Sequence, residues 1–224
     1  MRTAIVTGTS SGIGAAIATR LLASGWRVTG LDLAAPTIAN AAFTAINVDL
    51  ADRAAREKAV ASIDTADALV HAAGIMRGGM LGALDHDAGA LLWRLHVDAA
   101  IGLADHLAPR LPSGGRIVLI GSRAAKGIVG KSQYGAAKAA LTSLARAWAK
   151  ELVARGVTVN VVAPAATETA MLTDPDRAII PPETPPLGRR IRPDEIAALV
   201  AFLLSEDAAT ITGQEINICG GASL

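Results

Sequence analysis

The sequence has few aromatic residues, a single cysteine and no block of like charge. Aromatic residues make up 3% of the 224 residues, although hydrophobic residues make up 51%. The core must therefore consist of Ala, Val, Ile and Leu, which suits a parallel sheet covered by closely packed helices. The lone Cys219 excludes an internal disulfide and a cysteine metal cluster. We predict one domain over residues 1–224, with no metal site.

Long hydrophobic runs are also missing. The longest apolar run near the end, 196–204, is too short to span a bilayer, and the run at 3–6 is too short for a signal-peptide core. The formal net charge is +1, which argues against nucleic acid or an anionic membrane as the main partner. We expect a cytoplasmic protein that binds neither nucleic acid nor membrane.

A glycine-rich stretch at 7–14 joins the apolar run at 3–6 to an amphipathic run at 13–23. This pattern predicts a strand, a tight turn and a helix whose N-terminus binds a dinucleotide pyrophosphate. Each glycine has its own role in this spacing. The first takes a positive φ, the second lets the phosphate approach the backbone closely, and the third lets the helix pack tightly. A plain turn is the alternative. The predicted cofactor contacts here are Gly8, Ser10, Ser11, Gly12, Ile13 and Gly14.

Asp32 ends the second predicted strand, at 27–31, about 20 residues after the glycine loop. A carboxylate at this place can accept hydrogen bonds from both ribose hydroxyls of NAD, and it repels the additional phosphate of NADP. The neighbouring Ser11 and Leu33 are uncharged and do not offset that repulsion. We therefore expect NAD(H), with NADP(H) less favoured; a turn or capping role for Asp32 is the alternative.

Strand and helix patterns alternate along the whole chain. This predicts an α/β fold: a doubly wound (Rossmann) parallel sheet of about seven strands with helices on both faces. Asp49 either contacts the adenine or caps the next helix. Gly74 either lets the backbone pass close to the cofactor or forms a simple turn. The predicted strands are 3–6, 27–31, 45–48, 68–72, 116–120, 158–162 and 215–218, and the predicted helices are 13–23, 50–63, 91–107, 134–154 and 194–204.

The segment 165–192 is irregular and holds five prolines. It follows the carboxyl end of the sixth predicted strand, where ligands bind in such sheets. We predict that it is a mobile substrate lid; a passive surface excursion is the alternative.

Tyr134 is the only tyrosine in the chain, and Lys138 lies one helical turn later on the same face. Ser122 follows the fifth predicted strand. These three side chains can meet at the carboxyl edge of the sheet. Taken singly, each has an ordinary structural explanation: a core tyrosine, a solvated lysine and a turn serine.

Together, these motifs resemble the short-chain dehydrogenase/reductase family over nearly the whole chain. The resemblance rests on the glycine loop, residues 72–74, Ser122 with the Tyr134-x-x-x-Lys138 pair, Asn160-x-x-x-Pro164, Thr169 and the terminal glycines 220–221. It implies that Tyr134 exchanges a proton with the substrate oxygen and that Ser122 positions that oxygen. It also implies that Lys138 holds the cofactor ribose and lowers the pKa of the tyrosine.

The same resemblance implies further cofactor contacts at Ala73, Gly74, Pro164, Thr167 and Thr169, in addition to Tyr134 and Lys138. The family's helical asparagine, which helps to hold a water beside the lysine, is matched best by Asp98. We therefore expect Asp98 to be a relay residue; a buried polar group paired with His96 is the alternative.

The expected function is an NAD(H)-dependent oxidoreductase that interconverts a secondary alcohol and a ketone. The alternatives are an NADPH-dependent 3-oxoacyl thioester reductase and a catalytically inactive nucleotide sensor. The family also implies a homodimer or homotetramer, which alanine-rich helix faces would suit. The expected substrate pocket is lined by Ile75, Met76, Ala124, Ala125, Ile128, Met171 and Leu172, with Arg77, Arg123 or Lys126 available to meet an anion.

Overall fold

Seven parallel strands form one sheet in the computed structural model, which describes residues 1–172 and 183–224. Their spatial order is β3-β2-β1-β4-β5-β6-β7, and every neighbouring pair is parallel. The doubly wound fold predicted from the sequence is confirmed. The strands are β1 (Thr3–Thr7), β2 (Arg27–Asp32), β3 (Phe43–Asn47), β4 (Ala68–His71), β5 (Arg116–Ile120), β6 (Thr158–Pro164) and β7 (Glu215–Ile218).

Helices cover both faces of the sheet, because alternate residues of each buried strand point to opposite sides. On one face, Leu69 of β4 belongs to a core with Leu103 and Leu141; on the other, Val70 belongs to a core with Ile17 and Ile196. The helices are α1 (Gly12–Ala23), α2 (Arg53–Ala61), α3 (His86–Trp93), α4 (Ala99–Leu107), α5 (Ser132–Leu152) and α6 (Pro193–Leu203).

Two predicted helices differ from the structure by more than two residues at one end. The helix expected at 50–63 begins only at Arg53, because the side chain of Asp52 accepts a hydrogen bond from the Ala55 N–H and caps it. Asp49 instead accepts from the Ala51 N–H in the preceding turn. Of the two roles weighed for Asp49, that of capping this helix is therefore wrong.

The single helix expected at 91–107 is instead three segments. It begins earlier, at His86, where the Asp85 side chain accepts from the Ala88 N–H. A π-helical turn, Arg94–Asp98, then separates α3 from α4. One wide turn of this kind shifts which side chains face the sheet edge.

The strand order reverses around β1, whose neighbours are β2 on one side and β4 on the other. Open α/β sheets bind ligands in the crevice that such a reversal leaves at the carboxyl ends of the strands. In the described residues, no helix is both long and apolar enough to cross a membrane.

Candidate active site

The turn between β1 and α1 fits closely against the end of β4. Gly8 and Gly12 have φ of +76° and +55°, values that favour glycine. A Cβ on Gly8 would lie 2.9 Å from the Ala73 Cα, and one on Gly14 would lie 2.1 Å from the Gly8 carbonyl oxygen. No side chain caps the first turn of α1 at Ser11. These residues therefore fit a dinucleotide pyrophosphate, bound by N–H groups at the helix start.

A crevice of about 720 Å³ runs along the carboxyl edge of the sheet. Its walls bring together the glycine loop, the end of β2, the β4 loop and the start of α5. All predicted site residues except Asp98 line it, namely Gly8, Ser10, Ser11, Gly12, Ile13, Gly14, Asp32, Asp49, Ala73, Gly74, Ser122, Tyr134, Lys138, Pro164, Thr167 and Thr169.

Asp32 is held in place by two backbone groups at one end of the crevice. One carboxylate oxygen accepts from the Ser10 N–H and the other from the Ala34 N–H, each at 2.9 Å. The basic residues that line the crevice in the described part of the chain are Arg123, Lys131 and Lys138, which follow β5 or lie near the start of α5. Asp32 therefore gives the β2 end of the crevice its negative charge.

Ser122 and Tyr134 are brought together by the close packing of α5 on the segment after β5. A Cβ on Gly135 would lie 2.7 Å from the Ala124 carbonyl oxygen, so the glycine allows this approach. Ser122 caps the short helix Arg123–Lys126, where its Oγ accepts from the Ala124 N–H at 3.1 Å. The hydroxyl proton of Ser122 remains available for donation.

Lys138 is buried behind Tyr134. Its Nζ donates to the Ile120 carbonyl oxygen at 2.7 Å and lies 5.8 Å from the centre of the Tyr134 ring. Burial lowers the pKa of Lys138 to about 7. The amine therefore exchanges protons near neutrality and is not a permanent cation.

His96 is a site residue that sequence reasoning missed. Its ring meets the Tyr134 ring edge-on, with centroids 5.6 Å apart, and it lines the crevice although it is only 1% exposed. Its Nε2 lies 2.9 Å from the Ile75 carbonyl oxygen, so Nε2 must carry the proton. A Cβ on Gly74 would meet the His96 ring at 2.2 Å, so this glycine provides the space for the ring.

His71 links the glycine loop to the π-helical turn. The Thr7 Oγ1 accepts from the Ala72 and Ala73 N–H groups, and it lies 3.1 Å from the His71 Nδ1. The His71 Nε2 lies 3.2 Å from the Leu95 carbonyl oxygen. Because that carbonyl can only accept, His71 donates through Nε2 and accepts from Thr7 through Nδ1. Burial lowers the pKa of His71 to about 3, which keeps the ring neutral.

The expectation for Asp98 must be corrected. Asp98 does not line the crevice, and it interacts electrostatically with Arg53 and Arg56. The His96 ring contacts the Ile75 carbonyl oxygen through Nε2 and the Tyr134 ring at its edge. Its Nδ1 has no hydrogen-bond partner among the described residues, so the expected pairing with Asp98 is not found. The π-helical turn presents His96 to the site in place of Asp98.

Comparison with known proteins agrees with this geometry. A family model described as enoyl-(acyl carrier protein) reductase matches residues 8–223. The chain is 36% identical to a 3-oxoacyl-[acyl-carrier-protein] reductase of Salmonella typhimurium, over 97% of this chain and 96% of that protein. It is 37% identical to the 2,3-dihydro-2,3-dihydroxybenzoate dehydrogenase of Escherichia coli, over 98% and 96%.

Solved structures match over the full length. A short-chain dehydrogenase/reductase from Serratia marcescens has a TM-score of 0.89 at 32% identity, with 100% of this chain and 98% of that chain covered. BdcA in complex with NADPH has a TM-score of 0.85 at 31% identity, with 98% and 93% covered.

The chain belongs to the short-chain dehydrogenase/reductase family.

This short-chain dehydrogenase/reductase is an oxidoreductase, and a nicotinamide cofactor fits its glycine loop. The expected apolar lining of the substrate end is largely found: Ile75, Met76, Ala124, Ile128, Met171 and Leu172 line the crevice, whereas Ala125 does not. The predicted lid at 165–192 falls partly on residues 173–182, which lie outside the described residues. Its described ends contact each other where Thr167 pairs with Ile191.

The sequence carried little signal for His96. A buried histidine on an apolar helix most often packs in a core, and its contact with Ile75 spans 21 residues. The one signal in the sequence that could have suggested His96 is that Gly74 and the helix carrying His96 are both expected at the same edge of the sheet.

Proposed function

We propose that this protein transfers a hydride reversibly between a nicotinamide cofactor and a carbon that alternates between an oxo group and a secondary alcohol. The supporting observation is that Ser122, Tyr134 and Lys138 line the same crevice as the glycine loop and Asp32. When bound, the nicotinamide supplies or accepts the hydride.

The chain's own residues provide binding, orientation and proton transfer. The glycine loop and the start of α1 would bind the pyrophosphate, Asp32 would bind the ribose hydroxyls, and Thr169 would contact the carboxamide. In the reducing direction, the Tyr134 hydroxyl donates its proton to the substrate oxygen while the Ser122 hydroxyl donates a hydrogen bond to the same oxygen. Lys138 then returns a proton to Tyr134, because its amine titrates near neutrality.

A 3-oxoacyl thioester is the substrate class that the relatives favour over the simple ketone expected from the sequence. The 36% identical Salmonella protein is a reductase of this class. The apolar wall of Met76, Ile128 and Leu172 would accept a short acyl chain. A cyclic diol is the second candidate, favoured by the 37% identical dihydrodiol dehydrogenase.

The two lines of support disagree on the cofactor. NADPH is favoured by the reductase relatives and by the NADPH complex of BdcA. Asp32 favours NADH, since its carboxylate is fixed by the Ser10 and Ala34 N–H groups. A carboxylate about 4 Å from a phosphate costs about 4 kcal/mol per unit charge at an effective dielectric near 20. We propose NADH on this local argument.

Cofactor preference is measured by titrating the protein with NADH and NADPH and following nicotinamide fluorescence. We expect NADH to bind at least about tenfold more tightly, because the charge repulsion above exceeds about 1.4 kcal/mol. Asp32→Asn should reduce the difference in affinity between NADH and NADPH. Tighter NADPH binding by the wild-type protein would instead support the preference that the relatives suggest.

The decisive test of catalysis is Tyr134→Phe. The variant should bind NADH as the wild type does and lose at least about a hundredfold in turnover of acetoacetyl-CoA, because general acid catalysis is removed. Retention of a tenth of the activity would contradict the role of Tyr134. Normal cofactor binding with no turnover of any substrate by the wild type would instead indicate a nucleotide sensor.

We further propose that residues 165–192 act as the substrate lid. Support comes from the described ends of this segment, since Thr169 to Leu172 and Glu183 to Pro186 line the crevice. A segment whose two described ends line the crevice fits the role of covering bound substrate.

A further inference from the structure

The structure shows which of the cations expected to bind an anionic substrate line the crevice. Arg77 and Lys126 do not line the crevice, whereas Arg123 does. Lys131 and the acidic Glu183 also line the crevice. Asp32 at the end of β2 and Asp49 after β3 line the crevice, and Arg123 lines it after β5.

Arg123 is half-buried and directly follows Ser122. Its Nη1 donates to the Ala222 carbonyl oxygen at 2.9 Å, and Ala222 lines the crevice as well. No carboxylate in residues 1–172 or 183–224 forms an ion pair with Arg123. A guanidinium has five N–H donors in a rigid fork, so one backbone contact leaves most of them for a ligand.

The position of Arg123 defines which anion it can reach. Ser122 positions the reacting oxygen in the proposed function, and Arg123 follows it in the chain and lines the same crevice. We assign to Arg123 an anionic group that lies within a few bonds of the reacting carbon. A carboxylate fits this requirement and matches the guanidinium fork. The phosphate of a pantetheine arm is separated from the thioester carbon by many bonds and does not fit.

We propose that Arg123 is a specificity-determining residue that binds the carboxylate of a short oxo acid, so that the free acid is preferred over its ester or thioester. This inference rests on the proposed function. For a 3-oxo acid, the hydride from the reduced nicotinamide adds to the oxo carbon and Tyr134 gives its proton to the oxygen. The products are the 3-hydroxy acid and the oxidised cofactor, and the carboxylate is unchanged.

The test compares acetoacetate with methyl acetoacetate and acetoacetyl-CoA, each with saturating NADH and then NADPH. The wild type should show a kcat/KM for acetoacetate at least about tenfold above that for the ester, the range expected for a charge-assisted hydrogen bond. Arg123→Gln should lower kcat/KM for acetoacetate by about 10- to 100-fold, mainly through KM, and leave the ester within about threefold. Arg123→Lys should recover part of the loss.

Lys126→Gln is the matched control, because Lys126 is a nearby cation outside the crevice. Lys126→Gln should leave kcat/KM unchanged for both acetoacetate and the ester. Equal losses of kcat/KM for the acid and the ester in Arg123→Gln would overturn the inference. Arg123 would then have only a structural role, through its hydrogen bond to the Ala222 carbonyl oxygen. Faster turnover of acetoacetyl-CoA than acetoacetate would overturn it too, with the proposed function intact. Absence of turnover with all three substrates and both cofactors would count against both.

Discussion

Lys138 shows how burial changes the chemistry that a sequence motif suggests. The spacing of Tyr134 and Lys138 suggests a permanent cation beside a phenol. In the structure the amine donates to the Ile120 carbonyl oxygen, and burial lowers its pKa to about 7. The lysine thus loses its charge at a pH where an exposed lysine would keep it.

This pKa predicts opposite pH dependence for the two directions of reaction. Reduction consumes a proton, so its kcat should fall as pH rises through about 7 and Lys138 becomes neutral. Oxidation releases a proton, so its kcat should rise over the same range. The measurement is kcat against pH in both directions with saturating cofactor.

Lys138→Arg is the control for that profile, because arginine does not deprotonate and therefore cannot return a proton to Tyr134. Its reduction kcat should lie far below that of the wild type at every pH and show no further fall through about pH 7. A wild-type profile that is flat through this range would contradict the assignment of Lys138.

At the scale of single residues, the sequence predicts those that belong to local motifs. The glycine loop, Asp32, Ser122 and the Tyr134–Lys138 pair are predicted, and they line one crevice. His96 is not predicted, because Asp98 is the better local match to the family's helical asparagine. A local match does not reveal the π-helical turn at Arg94–Asp98.

At the scale of elements, the π-helical turn between α3 and α4 is held from outside the helix. His71 donates to the Leu95 carbonyl oxygen, and His96 donates to that of Ile75. Both contacts connect segments more than 20 residues apart. A sequence pattern read locally contains neither of them, which explains why the interruption at Arg94–Asp98 was not predicted.

Gly74→Ala tests the contact between the β4 loop and this turn. The new Cβ would lie 2.2 Å from the His96 Cε1, so we expect a loss of about 1–3 kcal/mol in unfolding free energy from overpacking. Urea denaturation of the wild type, both single variants and the double variant with His96→Ala measures the coupling. The cost of Gly74→Ala should shrink when the ring is absent, and strictly additive costs would contradict this contact.

At the scale of the whole molecule, the alternation of strand and helix predicts the parallel sheet and the side at which the site lies. Buried strands such as β5, with only apolar residues after Arg116, give a clear pattern. Substrate and cofactor preference depend on a few side chains in the crevice, including Arg123. The alternation of strand and helix in the sequence contains no information on these side chains.

An assembly prediction follows from the apolar surface of α4 and α5. Ile101 is 40% exposed, and it lines a shallow groove with Trp148 and Leu152. We expect a homo-oligomer that uses this surface, so Ile101→Glu should shift the protein toward the monomer by placing a charge in an apolar contact. Size-exclusion chromatography with light scattering measures the mass.

Leu81→Glu is the matched control, since Leu81 is 91% exposed and lies outside both helices. It should leave the mass unchanged. A wild-type protein that is monomeric at every concentration would refute the prediction, and an equal effect of both variants would place the contact elsewhere.

The hydrogen-bond chain from Thr7 through His71 to Leu95 also affects how this protein can be recombined with its relatives. Thr7 donates to a ring nitrogen that is 64 positions away, and His71 donates to a carbonyl 24 positions further on. A chimera with a crossover between β1 and β4 would inherit one partner from each parent. Such hybrids should be viable when both parents carry compatible residues at the two positions, so breakpoints outside the 7–95 interval are the safer choice for gene shuffling.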